Sequence, residues 1–262
     1  MKELIASLQN PKIKNLRKLR EKSSERQKQQ LFVIEGLREI TLAQEAGIPF
    51  RTVFYCRPVA GPDVLNTFDR KLLLEVSPEV FGKIAYRENS DGLIALAEYR
   101  PLGLGDLKLS ANPFLIILEA VEKPGNLGAV LRTADAARAD GVIVCDPRTD
   151  ICNPNVIRSS LGSVFTTPVL AASTEETLDY LGEKGIKSYA AALTAERYYH
   201  ETDLKGPCAV VMGAESSGLS RKWLEGATAQ IKIPMRGKID SLNVSASCAI
   251  IVFEAMRQRN FL

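Results

Sequence analysis

The chain has one histidine and five cysteines among 262 residues, and both scarcities narrow the chemistry open to it. With His200 alone, in the stretch Tyr-Tyr-His-Glu, neither a histidine metal cluster nor a Ser-His-Asp triad is signalled, and a satisfied surface or helix-end histidine is the simpler reading. Cys56, Cys145, Cys152, Cys208 and Cys248 are odd in number, scattered and never spaced C-x-x-C. Neither a disulfide framework nor a zinc site is signalled, so no metal is expected, and most of the thiols are expected to be small apolar fillers. No apolar run reaches the ~18 residues of a membrane span. The opening Met-Lys-Glu-Leu-Ile-Ala has neither the apolar stretch nor the cleavage site of a secretory signal, so a cytoplasmic location is expected. Also missing are G-x-G-x-x-G after a strand and G-x-x-x-x-G-K followed by Ser or Thr, which removes support for a dinucleotide site or a phosphate loop.

Positive charge is concentrated at one end. Residues 1–30 carry nine Lys/Arg against three acids, a balance of +6, whereas the remaining residues sum to −3. Lys12, Lys14, Arg17, Lys18 and Arg20 form the densest run and suit a polyanion. A solvated helix face explains the same charges, because Leu16 and Leu19 recur at helical spacing.

From residue 31, short apolar runs alternate with amphipathic stretches. Strands are expected at Leu31 to Ile34, Thr52 to Cys56, Leu72 to Val76 and Leu93 to Ala97, with a helix up to about Ala46 and a helix or turn beginning around Pro78. A linker rich in Pro and Gly follows Tyr99. Beyond it come longer βα repeats, with strands at Phe114 to Leu118, Val142 to Cys145, Tyr189 to Leu193, Ala209 to Met212 and Gln230 to Ile233, and helices at Leu127 to Ala139, Thr174 to Glu183 and Val244 to Arg257. This alternation predicts an α/β fold with a parallel sheet covered on both faces. The last helix is apolar on nearly every side and is expected to be buried.

Ligands of open parallel sheets bind beyond the carboxyl ends of the strands, and three unusual loops fall there. The first, after Glu119, places Asn126 where it could cap a helix, with Arg132 six residues further on and able to reach a phosphate. In the second, Gly213 and Gly218 frame Glu215 in a tight turn into another helix. The third carries Ser241, Asn243 and Ser245 at alternating positions before the most apolar helix, and capping explains only one or two of them.

The segments N-x-G-A-x-x-R-T-A (126–134), G-A-E-x-x-G-L-S (213–220) and I-P-M-x-G-x-x-x-S-L-N-V-S-x-S (233–247) resemble the three motifs of the SpoU, or TrmH-like, branch of the SPOUT RNA methyltransferases, in order and spacing. Asn10-Pro-Lys-Ile-Lys-Asn-Leu-Arg-Lys-Leu, Phe32-Val-Ile-Glu-Gly-Leu-Arg-Glu and Asp91-Gly-Leu-Ile-Ala-Leu-Ala resemble the substrate-binding domain of ribosomal-RNA members, which is similar to ribosomal protein L30e. Arg236, Lys238, Cys248 and Phe253 are minor departures.

The resemblance implies an L30e-like domain over residues 1–100, a linker at 101–112, and a SPOUT domain over 113–262 whose parallel sheet is closed by a trefoil knot. It implies a homodimer that uses S-adenosylmethionine to methylate a ribose 2′-hydroxyl, in ribosomal RNA rather than transfer RNA. The cofactor would lie against Gly213, Ala214, Glu215, Ile233, Met235 and Leu242. Arg132 would be catalytic, with Asn126, Glu215, Ser241 and Asn243 shaping the site, while Lys12, Lys14, Arg17, Lys18 and Arg20 contact RNA phosphates as an arm whose removal spares cofactor binding. Arginine stays protonated in proteins, so a phosphate-anchoring role for Arg132 is physically easier than that of a base. A transfer-RNA methyltransferase, a resistance methylase of the same branch, a catalytically silent RNA-binding protein and a conventional nucleotide-dependent α/β enzyme are the competing readings.

Overall fold

A computed structural model describes residues 4–86 and 91–261. In chain order it contains α1 (Pro11–Glu21), α2 (Ser23–Gln29), β1 (Leu31–Glu35), α3 (Leu37–Glu45), β2 (Phe50–Tyr55), α4 (Pro62–Leu65), β3 (Leu73–Glu75), α5 (Pro78–Ile84), β4 (Leu93–Glu98), β5 (Phe114–Glu119), α6 (Pro124–Ala136), β6 (Gly141–Cys145), α7 (Pro154–Ser159), β7 (Val169–Ala172), α8 (Thr174–Glu183), β8 (Lys187–Ala191), β9 (Arg197–Tyr198), β10 (Cys208–Met212), α9 (Arg221–Gly226), β11 (Ala229–Lys232) and α10 (Val244–Gln258). Two compact units form, one from residues 1–100 with 152–166, the other from 101–151 with 167–262. No helix among the described residues is long and apolar enough to cross a membrane.

In the first unit the described strands form a mixed sheet in the order β1-β4-β2-β3, antiparallel except between β2 and β3. Asn10 caps α1 by accepting from the Lys12 N–H, and Pro11 at the first helical position has its φ preset for the helix. Ile13, Leu16 and Leu19 then fall on one face and enter the core with Val33, Phe54 and Ile94. The basic segment is therefore an integral helix, not a detachable arm, with the side chains of Lys12, Lys14, Arg17 and Lys18 exposed. Arg26 is buried and donates to the carbonyls of Leu19 and Arg20, where it satisfies the end of α1. Cys152, Ile157, Val164 and Phe165, from the returning segment, pack with Phe32, Ile40 and Ala43.

The second unit holds a sheet in the order β7-β6-β5-β10-β8-β11-β9, parallel throughout. β5, β6 and β10 are buried at every residue, as continuous apolar runs covered on both faces require. Ser173 caps α8 and exchanges hydrogen bonds with Glu176, which places the start of that helix at Thr174. The five cysteines are buried and free, and loss of hydration pushes the thiols of Cys145 and Cys248 up to about 12. On α10, Val244, Cys248, Ile251, Val252, Ala255 and Met256 are buried, yet Phe253 is 43 % exposed. The expectation of a helix buried all round is thus corrected: α10 packs on α6 and β10, which cover only one side of it.

Candidate active site

The carboxyl ends of β5, β8, β10 and β11 adjoin one another in the sheet, and the loops leaving β8, β10 and β11 wall a cavity of about 740 Å³. That volume is in the range of about 300–1,000 Å³ typical of small-molecule sites. Gly213, Ala214 and Glu215 line it after β10, Ile233 and Met235 after β11, and Ser241, Leu242 and Asn243 ahead of α10. Each residue expected to hold a cofactor therefore faces one space.

The loop after β10 is closed on itself. Ala214 N–H donates to the Gly218 carbonyl at 3.1 Å and Gly218 N–H returns to Ala214 at 2.9 Å. A Cβ on Gly213 would stand 2.3 Å from the Gly218 carbonyl carbon, and Gly218 itself has φ +66°. Both glycines are consequently demanded by backbone geometry, one by close approach and the other by its left-handed conformation. Leu219 then enters the core and α9 follows.

Three side chains from separate loops are joined in series. The Asn126 amide nitrogen donates to a Glu215 carboxylate oxygen, and Asn126 Oδ1 accepts from Asn243 Nδ2 at 3.2 Å. Asn243 Oδ1 in turn accepts from the Ser245 N–H at 2.9 Å and the Ser245 hydroxyl at 2.6 Å, which makes it the cap of α10. Asn126 does not cap α6. Pro124 starts that helix two residues earlier, Lys123 occupies the cap position without a side-chain bond, and Asn126, 9 % exposed, spends its amide on the other two loops.

The remaining expected residues divide. Ser241 lines the cavity, and its hydroxyl donates to Asp240 at 3.0 Å. Arg132 lies on the exposed face of α6, does not line the cavity, and has no hydrogen bond or ion pair with a described residue. In the first unit, Lys12, Lys14, Arg17 and Lys18 are exposed and unpaired among the described residues, whereas Arg20 donates to the Ile84 carbonyl at 2.7 Å. His200 is exposed and stacks on Tyr198.

Sequence reasoning gave no role to Glu119 or to the wall formed by residues 191–194. Glu119 is 5 % exposed; one oxygen accepts from the Ser220 N–H at 2.7 Å and the other from the Thr174 hydroxyl at 3.2 Å. It thereby ties the end of β5 to the exit of the Gly213 loop. An acid closing the otherwise apolar run Phe-Leu-Ile-Ile-Leu was the available signal. Ala191, Ala192, Leu193 and Thr194 offered none, being unremarkable residues at a strand end.

Residues 113–253 match the SpoU rRNA Methylase family, and residues 10–95 match the MRM3-like substrate binding domain. The chain is 30% identical over 249 residues to the 23S rRNA (guanosine(2553)-2'-O)-methyltransferase RlmP of Bacillus subtilis (strain 168), covering 95% of this chain and 97% of the relative. Among solved structures, an RNA 2'-O ribose methyltransferase superimposes with TM-score 0.85 at 42% identity, covering 98% of this chain and 100% of the other. The AdoMet-bound rRNA methyltransferase from Sinorhizobium meliloti superimposes with TM-score 0.89 at 32% identity, covering 97% of each chain.

Proposed function

The chain belongs to the SpoU rRNA Methylase family, and from that premise we propose that it transfers the methyl group of S-adenosylmethionine to a ribose 2′-hydroxyl of ribosomal RNA. The observation that carries the reading is the convergence of Asn126, Glu215 and Asn243 at the cavity walled by Gly213, Met235 and Leu242.

The cavity fits the cofactor in size and in chemistry. Its walls combine apolar side chains such as Leu242 and Ile251 with close-packed loop backbone, and bring in both signs of charge through Glu215, Asp240, Lys123 and Lys232. Gly213, Ala214, Glu215, Ile233, Met235 and Leu242 would hold it. When bound, it supplies an electrophilic methyl group on a sulfonium.

A ribose hydroxyl is a weak nucleophile at neutral pH, so alignment is the larger demand. The Asn243–Asn126–Glu215 series holds three loops in one arrangement before RNA arrives, and Arg132, free at the surface of α6, anchors the neighbouring phosphate and stabilises developing charge. The proton leaves through phosphate or water. Lys12, Lys14, Arg17 and Lys18 position the RNA by phosphate contacts that read no sequence.

Within the same reading the enzyme is a homodimer, supported by the open Phe253 ring on α10, and the first unit is L30e-like. A carboxyl-terminal trefoil knot agrees with α10 packing on α6 and β10 in mid-sheet after β11 has formed near the sheet's edge. Mapping ribose methylation in total RNA from cells with and without the gene tests the function; an unchanged ribosomal-RNA map with a changed transfer-RNA map would transfer the reading to tRNA.

A further inference from the structure

In the first unit, Tyr86 follows α5 with its side chain 54 % exposed. The Arg158 guanidinium, carried by α7, lies 4.7 Å from the centre of that ring. Arg158 is exposed and has no carboxylate partner among the described residues, so its N–H edges remain open. The position of Tyr86 is fixed from below: its backbone N–H donates to both Glu35 carboxylate oxygens at 2.9 Å. Two residues earlier, the Ile84 carbonyl accepts from Arg20 of α1 at 2.7 Å. Arg20, Tyr86, Asn155 and Arg158 border one crevice of about 20 Å³, which is too small to enclose a ligand. Recognition there has to occur on the surface.

We propose that Tyr86 and Arg158 form a stacking platform for an unpaired RNA base, at the end of the phosphate track laid by the exposed cations of α1. The inference rests on the RNA substrate reading above and names the kind of nucleotide that the first unit takes. A half-exposed tyrosine presents a π-face to any base, and an arginine stacked beside it adds a planar cation with free donors for a phosphate or a base edge. Unpaired nucleotides in loops and bulges can be splayed onto such a surface, whereas bases inside an A-form duplex cannot. Lys14, Arg17 and Lys18 share one side of α1, and Arg20, at the end of the same helix, joins it to the platform. A strand whose phosphates follow α1 thus brings its next base to Tyr86. Arg158 lies far from α1 in sequence but belongs to the same compact unit, which is why spacing did not reveal the pair.

The test uses the full-length protein and two labelled RNAs, a stem–loop and a fully paired duplex of equal length, titrated over a range of salt. Tyr86→Ala is expected to weaken stem–loop binding about tenfold or more while sparing the duplex, with Tyr86→Leu behaving alike and Tyr86→Phe close to wild type. Arg158→Ala is expected to weaken stem–loop binding and to lower the salt slope by about one. The circular dichroism spectrum and thermal midpoint of the full-length protein verify that each variant is folded, and S-adenosylmethionine affinity, which belongs to the second unit, is expected to stay unchanged. Equal stem–loop affinity for wild type and Tyr86→Leu overturns the platform, as does an equal loss on both RNAs. Unchanged RNA binding with an altered oligomeric mass overturns it in favour of a protein interface. Failure of the wild type to bind either RNA removes the RNA reading itself.

Discussion

Asn243 Nδ2 lies 3.2 Å from Asn126 Oδ1, a bond between side chains 117 residues apart in the chain. Asn126 also donates to Glu215, so one half-turn of α6 holds both other signature loops. Replacing it by Ala leaves a donor and an acceptor without partners beside the cavity, at a cost of about 1–3 kcal/mol. Asn126→Ala is expected to lower kcat/KM by about tenfold or more, and Asn126→Asp to be worse at neutral pH because it sets a second carboxylate against Glu215. Steady-state methyl transfer measures both; an Asp variant as active as wild type would show that the series has no part in ordering the loops.

Gly213→Ala puts a methyl group where the Gly218 carbonyl already stands. The neighbour is backbone, so the loop must open, at a cost of about 1–3 kcal/mol. Cofactor affinity measured by calorimetry is expected to fall about ten- to a hundredfold. The same substitution at Gly182, whose added Cβ would meet nothing within 4 Å, serves as the control.

Arg132 is outside the cavity wall, which separates binding from chemistry in a single variant. Arg132→Ala is expected to reduce turnover by about 100-fold or more while leaving S-adenosylmethionine affinity unchanged. Near-normal turnover removes this side chain from the reaction.

Glu254 gives the second unit an acid-labile interaction. Hydrogen bonds from Arg257, and then from Gln258, hold its carboxyl down to about 2 from an ordinary value of 4.5. A carboxyl depressed in the folded state stabilises above its unfolded value and loses that contribution as pH falls through the folded one. Glu254→Gln is therefore expected to be less stable than wild type at pH 7, with the difference shrinking between about 4.5 and about 2. Urea midpoints across that interval decide it.

Deleting residues 1–30 would remove Ile13, Leu16 and Leu19 from the core, so truncation cannot isolate the role of the charges. Substituting Lys12, Lys14, Arg17 and Lys18 by Gln, all exposed, leaves that core intact. RNA affinity should drop, and the slope of its logarithm against log salt should flatten by up to about 0.9 for each phosphate that is no longer neutralised. A slope equal to wild type would place the RNA elsewhere.

What the sequence disclosed follows from the range of each interaction. β5 and β10 are continuous apolar runs, and α8 is announced by the Ser173–Glu176 pair, all local patterns. β7 and β9 escaped notice because edge strands of four and two residues carry too little pattern to register. Asn126 looked like a cap because its partners, Glu215 and Asn243, lie beyond the reach of any spacing rule. The family motifs picked out Asn126, Glu215 and Asn243; only the folded chain reveals that Asn126 is the middle member and that Glu119 braces Ser220. The open side of α10 at Phe253 was hidden by composition, since an apolar helix reads as buried whether or not something covers every side.

The return of residues 152–166 to the first unit means that no single cut divides this protein into two self-sufficient halves. A catalytic fragment starting after residue 100 would keep Ile157, Val164 and Phe165 while losing the partners that shelter them, and would be sticky in solution. Anyone wishing to express the halves apart has to excise that excursion and bridge its ends.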